Sequence, residues 1–215
     1  MEGLSGFWQQ TDSVGRAVAL LMLLMSVATW AVILWKAWVL RRAMTGVREG
    51  LDAYWAAGDA AVARERVAAA DREGVLLPLL DAAQGQERSA SLAAQAPAAA
   101  QLTRRLRQAL QAGLDHLRMG QVLLASVGST SPFIGLFGTV WGIYHALVDL
   151  SVSGSISVEK ISGPVGEALI MTAAGLAVAI PAVLAYNLFG QWIASLEADL
   201  EGYAHDLLAA AGEAA

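Results

Sequence analysis

The chain has no cysteine, so it can form neither a disulfide nor a thiolate metal site. Charge is scarce too: Asp, Glu, Lys and Arg make up only 15% of the residues, against about 25% in ordinary soluble domains. Three long runs carry no Asp, Glu, Lys or Arg at all: residues 17–35, 119–148 and 168–196. An ion- or proton-coupled machine that worked alone would need an ionisable group inside such a run. No nucleophile–base pair, phosphate-binding loop or His/Asp/Glu cluster with metal-ligand spacing occurs, so neither an enzyme, a bound metal nor another cofactor is expected. Basic residues alternate with acids instead of forming a stripe, which argues against nucleic-acid binding.

What fills the runs is apolar: 56% of the chain is hydrophobic, the composition of a membrane protein. About 20 apolar residues cross the ~30 Å hydrocarbon core of a bilayer, and each run is that long or longer. The first, Ala17–Trp35, has no basic region before it and no small-residue cleavage site after it. It is expected to be a retained anchor and not a secretory signal. Eleven of the fourteen Lys and Arg residues lie between Arg41 and Arg118. The positive-inside rule therefore places that segment in the cytoplasm, the N-terminus and the Asp149–Lys160 loop outside, and the C-terminus inside.

The expectation is an all-α membrane protein with three transmembrane helices, two of them extended into a cytoplasmic helical bundle. Its parts are a short periplasmic N-terminus (1–15), a first span (16–40), a cytoplasmic helical segment (41–118), a second span (119–150), a periplasmic turn (151–162), a third span (163–190) and a cytoplasmic C-terminal helix (191–215). Trp8, Trp35 and Trp38 suit the interfacial aromatic belt. Val47, Leu51, Tyr54, Trp55 and Val62 suggest an amphipathic helix interrupted at Gly58-Asp59, and Val75–Ala83 a short one around Pro78. After Pro97, Leu102, Leu106, Leu110, Leu114 and Leu117 line one helix face, with Arg104, Arg105 and Arg107 on the other. Only Gly120 interrupts that pattern, at a cost of about 1 kcal/mol, so one continuous helix from Pro97 to Leu150 is expected. Pro164 would open the third span, and Pro181 inside it would kink it.

Small residues recur at helical spacing in the second and third runs. The first stripe holds Gly128, Ser131, Gly135, Gly138 or Thr139, Gly142 and Ala146; the second holds Ala168, Thr172, Gly175, Ala179 and Ala182. Such stripes let helices pack backbone to backbone in lipid. Thr139 and Thr172 each have a bland reading, a hydroxyl bonded to its own i−4 carbonyl. Together they could instead face one another or line a cavity. Glu167 reads either as an acid stabilising a helix start or as a residue at the mouth of a cation path. His145 and Asp149 are spaced for a structural i,i+4 pair, and Asn187 suits a polar contact between helices.

The block Gly128–Ile143, with its Ser-Thr-Ser-Pro132 and Gly-Leu-Phe-Gly-Thr139 motifs, resembles the ExbB/TolQ branch of the MotA/TolQ/ExbB proton-channel family, and so does Glu167–Asn187. The two blocks cover about a third of the chain; the first span and the charged segment agree only in layout. The resemblance implies a homopentamer in the bacterial inner membrane around single-span helices of an ExbD/TolR-type partner. That partner's membrane Asp would carry the proton, which suits the acid missing here. The resemblance also implies that Thr139 and Thr172 line the pore and that Glu167 is functional, while Pro132, Gly138 and Pro181 join the glycines as packing positions. Proton flow would energise TonB, or TolA, reaching toward the outer membrane. Gly163-Pro-Val-Gly166 is nearer ExbB forms, which serve import of iron chelates and cobalamin. The short N-terminus and His145 after Trp141 are also features of TolQ forms of the Tol-Pal system. A scaffold that conducts nothing is the alternative of another class. A substrate-binding transporter would need broken helices in repeated halves, which the sequence lacks.

Overall fold

The computed structural model describes residues 12–85, 97–153 and 158–213. Six helices account for nearly all of them: α1 (Ser13–Trp55), α2 (Ala60–Ala70), α3 (Leu77–Gln84), α4 (Ala98–Arg118), α5 (Gln121–Ser153) and α6 (Val158–Glu213). No strand occurs among the described residues. Three helices are long and apolar enough to cross a bilayer: Ser13–Trp55, Gln121–Ser151 and Ser162–Ala211. The chain is thus an all-α membrane protein. Trp8 lies outside the described residues; Trp35 and Trp38 are exposed.

The chain divides into two compact units, one of Met1–Leu34 with Gly120–Asn187 and one of Trp35–Met119 with Leu188–Ala215. In the first, Val18 and Met22 of α1 pack with Met171 of α6, flanked by Ala19, Ile134 and Ala174. A second cluster joins Val127, Val178 and Ala182 to Met25. Leu20, Leu24, Phe133, Ile170 and Leu184 point outward. In water that would be an aggregation hazard, but against lipid tails it carries no penalty.

The second unit has the core of a soluble helical bundle. Leu40 and Val47 of α1, Val67 of α2, Leu79 and Leu80 of α3, Leu114 and Leu117 of α4, and Leu196 and Leu200 of α6 are all fully or almost fully buried. The leucine stripe read after Pro97 is the buried face of α4, at Leu102, Leu106, Leu110, Leu114 and Leu117. α3 packs on α4 and on α2. The turn between α2 and α3 is held by Asp71, whose carboxylate accepts the amides of Val75, Leu76 and Leu77 at 2.7–2.9 Å. Gly74 supplies the left-handed residue, at φ +67°. Leu114→Ala should destabilise this unit by about 2–5 kcal/mol, the range for emptying a fully buried leucine site. Loss of amide protection across α4, with α5 unaffected, is the expected signature in hydrogen exchange.

Three sequence expectations need correction. The helix expected to run from Pro97 to Leu150 is two helices, parted at Met119 and Gly120. Gly120 has φ +82°, and Lys36 Nζ donates to the carbonyls of Leu117 and Met119 at 2.5 and 2.8 Å. The helices that extend unbroken beyond their spans are therefore α1 and α6. The turn expected over 151–162 is narrower, since helix reaches Ser153 and resumes at Val158, with 154–157 outside the described residues. Pro164 consequently lies inside α6, together with Pro181. A proline there forfeits one backbone bond, which the rest of a long helix outweighs.

Candidate glycine and threonine seam

α5 and α6 approach closely because glycine lies where side chains would collide. A Cβ placed on Gly135 would sit 2.6 Å from the Met171 carbonyl oxygen and 3.1 Å from Gly175 Cα. One placed on Gly175 would sit 2.6 Å from the Ser131 carbonyl oxygen. The seam continues in both directions. At Gly128 the nearest atom is Val183 Cγ2, at Gly138 the Met171 side chain with Val18 of α1, and at Gly142 the Ala168 Cβ. Ser131, fully buried, donates to its own i−4 carbonyl at Val127. Pro132 and Pro181 are half-buried in α5 and α6.

Thr139 and Thr172 meet across this seam, hydroxyl to hydroxyl. Thr139 Oγ1 also lies 3.1 Å from the carbonyl oxygens of Gly135, one turn back, and Ala168 on the facing helix. A threonine hydroxyl has one proton, so it donates to one of these acceptors at a time while receiving the other threonine's proton. Thr139 is 7% exposed, whereas Thr172 is half-buried and lies at the rim. The pair is a hydroxyl couple with one buried and one half-buried member. Within the seam it is surrounded by glycine, alanine and apolar side chains, with no charge from 168 to 196.

Glu167 is half-buried and directly precedes Ala168, whose carbonyl Thr139 approaches. Because α6 begins at Val158, Glu167 lies in its third turn and not its first. Helix-start electrostatics fade within the first turn, so that bland reading loses its basis. Asn187 is exposed and has no hydrogen bond among the described residues.

Toward the C-terminal end of α5, the expected His145–Asp149 pair is not formed among the described residues. His145 lies against Trp141 with the rings tilted at 41° and their centroids 4.6 Å apart, and its Nδ1 lies 3.1 Å from the Trp141 carbonyl oxygen. The Trp141 indole N–H donates to Asp12 at 2.8 Å, and the other Asp12 oxygen accepts the Gly15 amide at the start of α1. Slight burial of Asp12 opposes its ionisation, but the Trp141 and Gly15 hydrogen bonds and nearby His145 outweigh it and hold the carboxyl below its usual 3.8. A depressed folded-state pKa means that the tie stabilises above the unfolded-state pKa and is lost as pH falls through the lower one. Trp141→Phe should move Asp12 back up toward an ordinary carboxyl, read by carboxyl NMR titration. The stability change should be small because the pair is exposed.

Two buried polar residues escaped the sequence reading. Thr29, in the middle of the first span, is 1% exposed and its hydroxyl has no hydrogen-bond partner among the described residues. Lys36 is 2% exposed. Their spacing from Met22 and Met25 at helical intervals was the available signal, for it puts Thr29 on the buried face of α1.

Three apolar spans, two of them meeting along a glycine seam with hydroxyls as its polar content, define a helical membrane protein. The sequence profile described as the MotA/TolQ/ExbB proton channel family matches residues 79–202, more than half of the chain. The chain belongs to that family. It is 41% identical over 205 residues to the biopolymer transport protein ExbB of Neisseria meningitidis, covering 93% of each chain. It is 55% identical over 104 residues to ExbB of Xanthomonas campestris, covering 48% of this chain and 41% of that one. The Tol-Pal system protein TolQ of Haemophilus influenzae is 31% identical over 191 residues, covering 86% and 83%. The family is one of proton channels, not of enzymes, and with three apolar helices it makes this an inner-membrane protein.

Proposed function

We propose that this chain is the wall subunit of a proton-driven stator in the bacterial inner membrane. Five copies form a ring around the single-span helices of an ExbD/TolR-type partner. The observation that carries this reading is the Thr139–Thr172 hydroxyl couple on a seam that contains no acid or base. Hydroxyls can pass a proton between acceptors and donors but cannot hold it, so the carrier has to come from elsewhere. A partner aspartate in the membrane meets that need, and Glu167 near the outer end of the seam attracts cations toward it. The N-terminus is periplasmic and the C-terminus cytoplasmic, by the distribution of Lys and Arg.

The work performed is energising TonB for import across the outer membrane. Higher identity to the Neisseria proteins named ExbB, at 41% over 93% of the chain, than to TolQ of Haemophilus influenzae, at 31%, favours TonB over TolA. In proteoliposomes, the chain with its partner should carry protons down a gradient, while the chain alone, or with the partner's aspartate changed to asparagine, should not. Equal flux with and without that aspartate would remove the partner as carrier. Absence of flux in every case would leave the scaffold reading.

A further inference from the structure

Lys36 is the only fully buried charged residue among the described ones. No carboxylate among them lies within ion-pair range of it. Its partners are instead the carbonyl oxygens of Leu117 and Met119, at 2.5 and 2.8 Å. These lie at the C-terminal end of α4, where the helix dipole is negative and a cation is favoured. From the other side, Arg118 is gripped by both carboxylate oxygens of Glu197, at 2.9 and 3.0 Å.

The identity of the two carbonyls matters. In a continuous α-helix each amide donates to the carbonyl four residues earlier. The carbonyls of Leu117 and Met119 are therefore the acceptors that the amides of Gln121 and Leu123 would use. Lys36 Nζ donates to both in their place. The Met119 amide closes a tighter turn on His116, Gly120 takes φ +82°, and helical bonding restarts with the Leu124 amide on the Gly120 carbonyl.

We infer that Lys36 is a positioning residue for the second span: by taking those two carbonyls it ends α4 at Arg118 and makes Gln121 the first residue of α5. The leucine stripe and the single glycine between the helices otherwise favour fusion into one helix, since glycine is a weak barrier. A helix fused through Gly120 has no phase of its own. The facing of its Thr139 stripe would be set by the leucine stripe of α4 through the helical period. The consequence for transport rests on the proton-path reading above; the helix break does not.

The test uses the full chain with its partner in lipid nanodiscs, read by hydrogen exchange, and in cells, read by energised uptake. Lys36→Met keeps length and removes the ammonium. It should slow exchange of the Gln121 and Leu123 amides by about tenfold or more, as they gain helical acceptors, and abolish uptake. Adding Gln121→Pro should undo both effects. Proline has no amide, collides with the carbonyl four residues back and is favoured as the first residue of a helix; the Leu123 amide should exchange quickly again and uptake return. A lysine needed only for stability, or as a proton carrier, would not be replaced by that proline, and failure of the rescue overturns the inference. So does unchanged exchange in Lys36→Met, whereas slowed exchange with normal uptake defeats only the consequence for transport. Should Lys36→Met not accumulate, Gln121→Pro alone decides: it should retain full uptake, and its loss overturns the inference. Proton flux that fails to depend on the threonines would defeat the proton path while leaving the exchange result standing.

Discussion

Changing Thr139 and Thr172 together to valine should abolish energised uptake while leaving the helices packed as they are. Valine has nearly the shape of threonine, and removing both partners of a hydrogen bond at once leaves no orphaned donor. Such a change is nearly neutral for stability, within about 1 kcal/mol. The carbonyls of Gly135 and Ala168 lose only a supplementary donor, as both lie within helices. The chemistry is not neutral. A positioned proton-exchanging group contributes about 10²-fold or more to a transfer step, and here both groups go. Thr172→Val alone should be milder, because Thr139 keeps its own carbonyl partners. The measurement is uptake at normal partner levels beside chromatographic assembly state. Undiminished uptake with intact assembly would sink the proton-path reading in favour of a passive scaffold.

Gly175→Leu should have the largest effect on assembly. The new Cβ would lie 2.6 Å from the Ser131 carbonyl oxygen and close to the Gly135 backbone. No side-chain rotation relieves a collision with backbone, so the two helices must separate. Overpacking a well-packed site costs about 1–3 kcal/mol, occasionally more. Separation here also breaks the Thr139–Thr172 contact, so uptake should fall even where protein still accumulates. Gly202→Ala is the control, since no atom lies within 4 Å of a Cβ added there. It should be tolerated, with a gain of up to about 1 kcal/mol from helix propensity. Equal sensitivity at Gly202 and Gly175 would mean that close approach is not what the seam glycines provide.

Much of this was legible before any coordinates. The leucine stripe of α4 is buried residue for residue, because a soluble bundle obeys a 3.6-residue period that an apolar pattern states openly. The three spans were legible because lipid tolerates no charge along their length. The position of Glu167 in its helix was misjudged. Pro164 and the Ser/Gly-rich stretch before it resemble a helix start, yet α6 begins earlier, at Val158. Local signals gave the wrong terminus because a long helix can absorb one missing backbone bond.

The contacts that were not legible join residues far apart in sequence. Asp12 and Trp141 are separated by 129 positions, Lys36 and Leu117 by 81. No window on the sequence places an indole beside a particular carboxylate, or a lysine on particular carbonyls. By itself the sequence determined that the chain spans a membrane, that glycine and threonine stripe two spans, and that it supplies no mid-membrane acid, because composition and period answer directly to the solvent each face meets. Only the tertiary structure decided that the two hydroxyls touch, that one is buried and one half-buried, and that the helix before the second span stops at Arg118. Each of those depends on which partner fills a given acceptor, and helix propensity leaves that choice open.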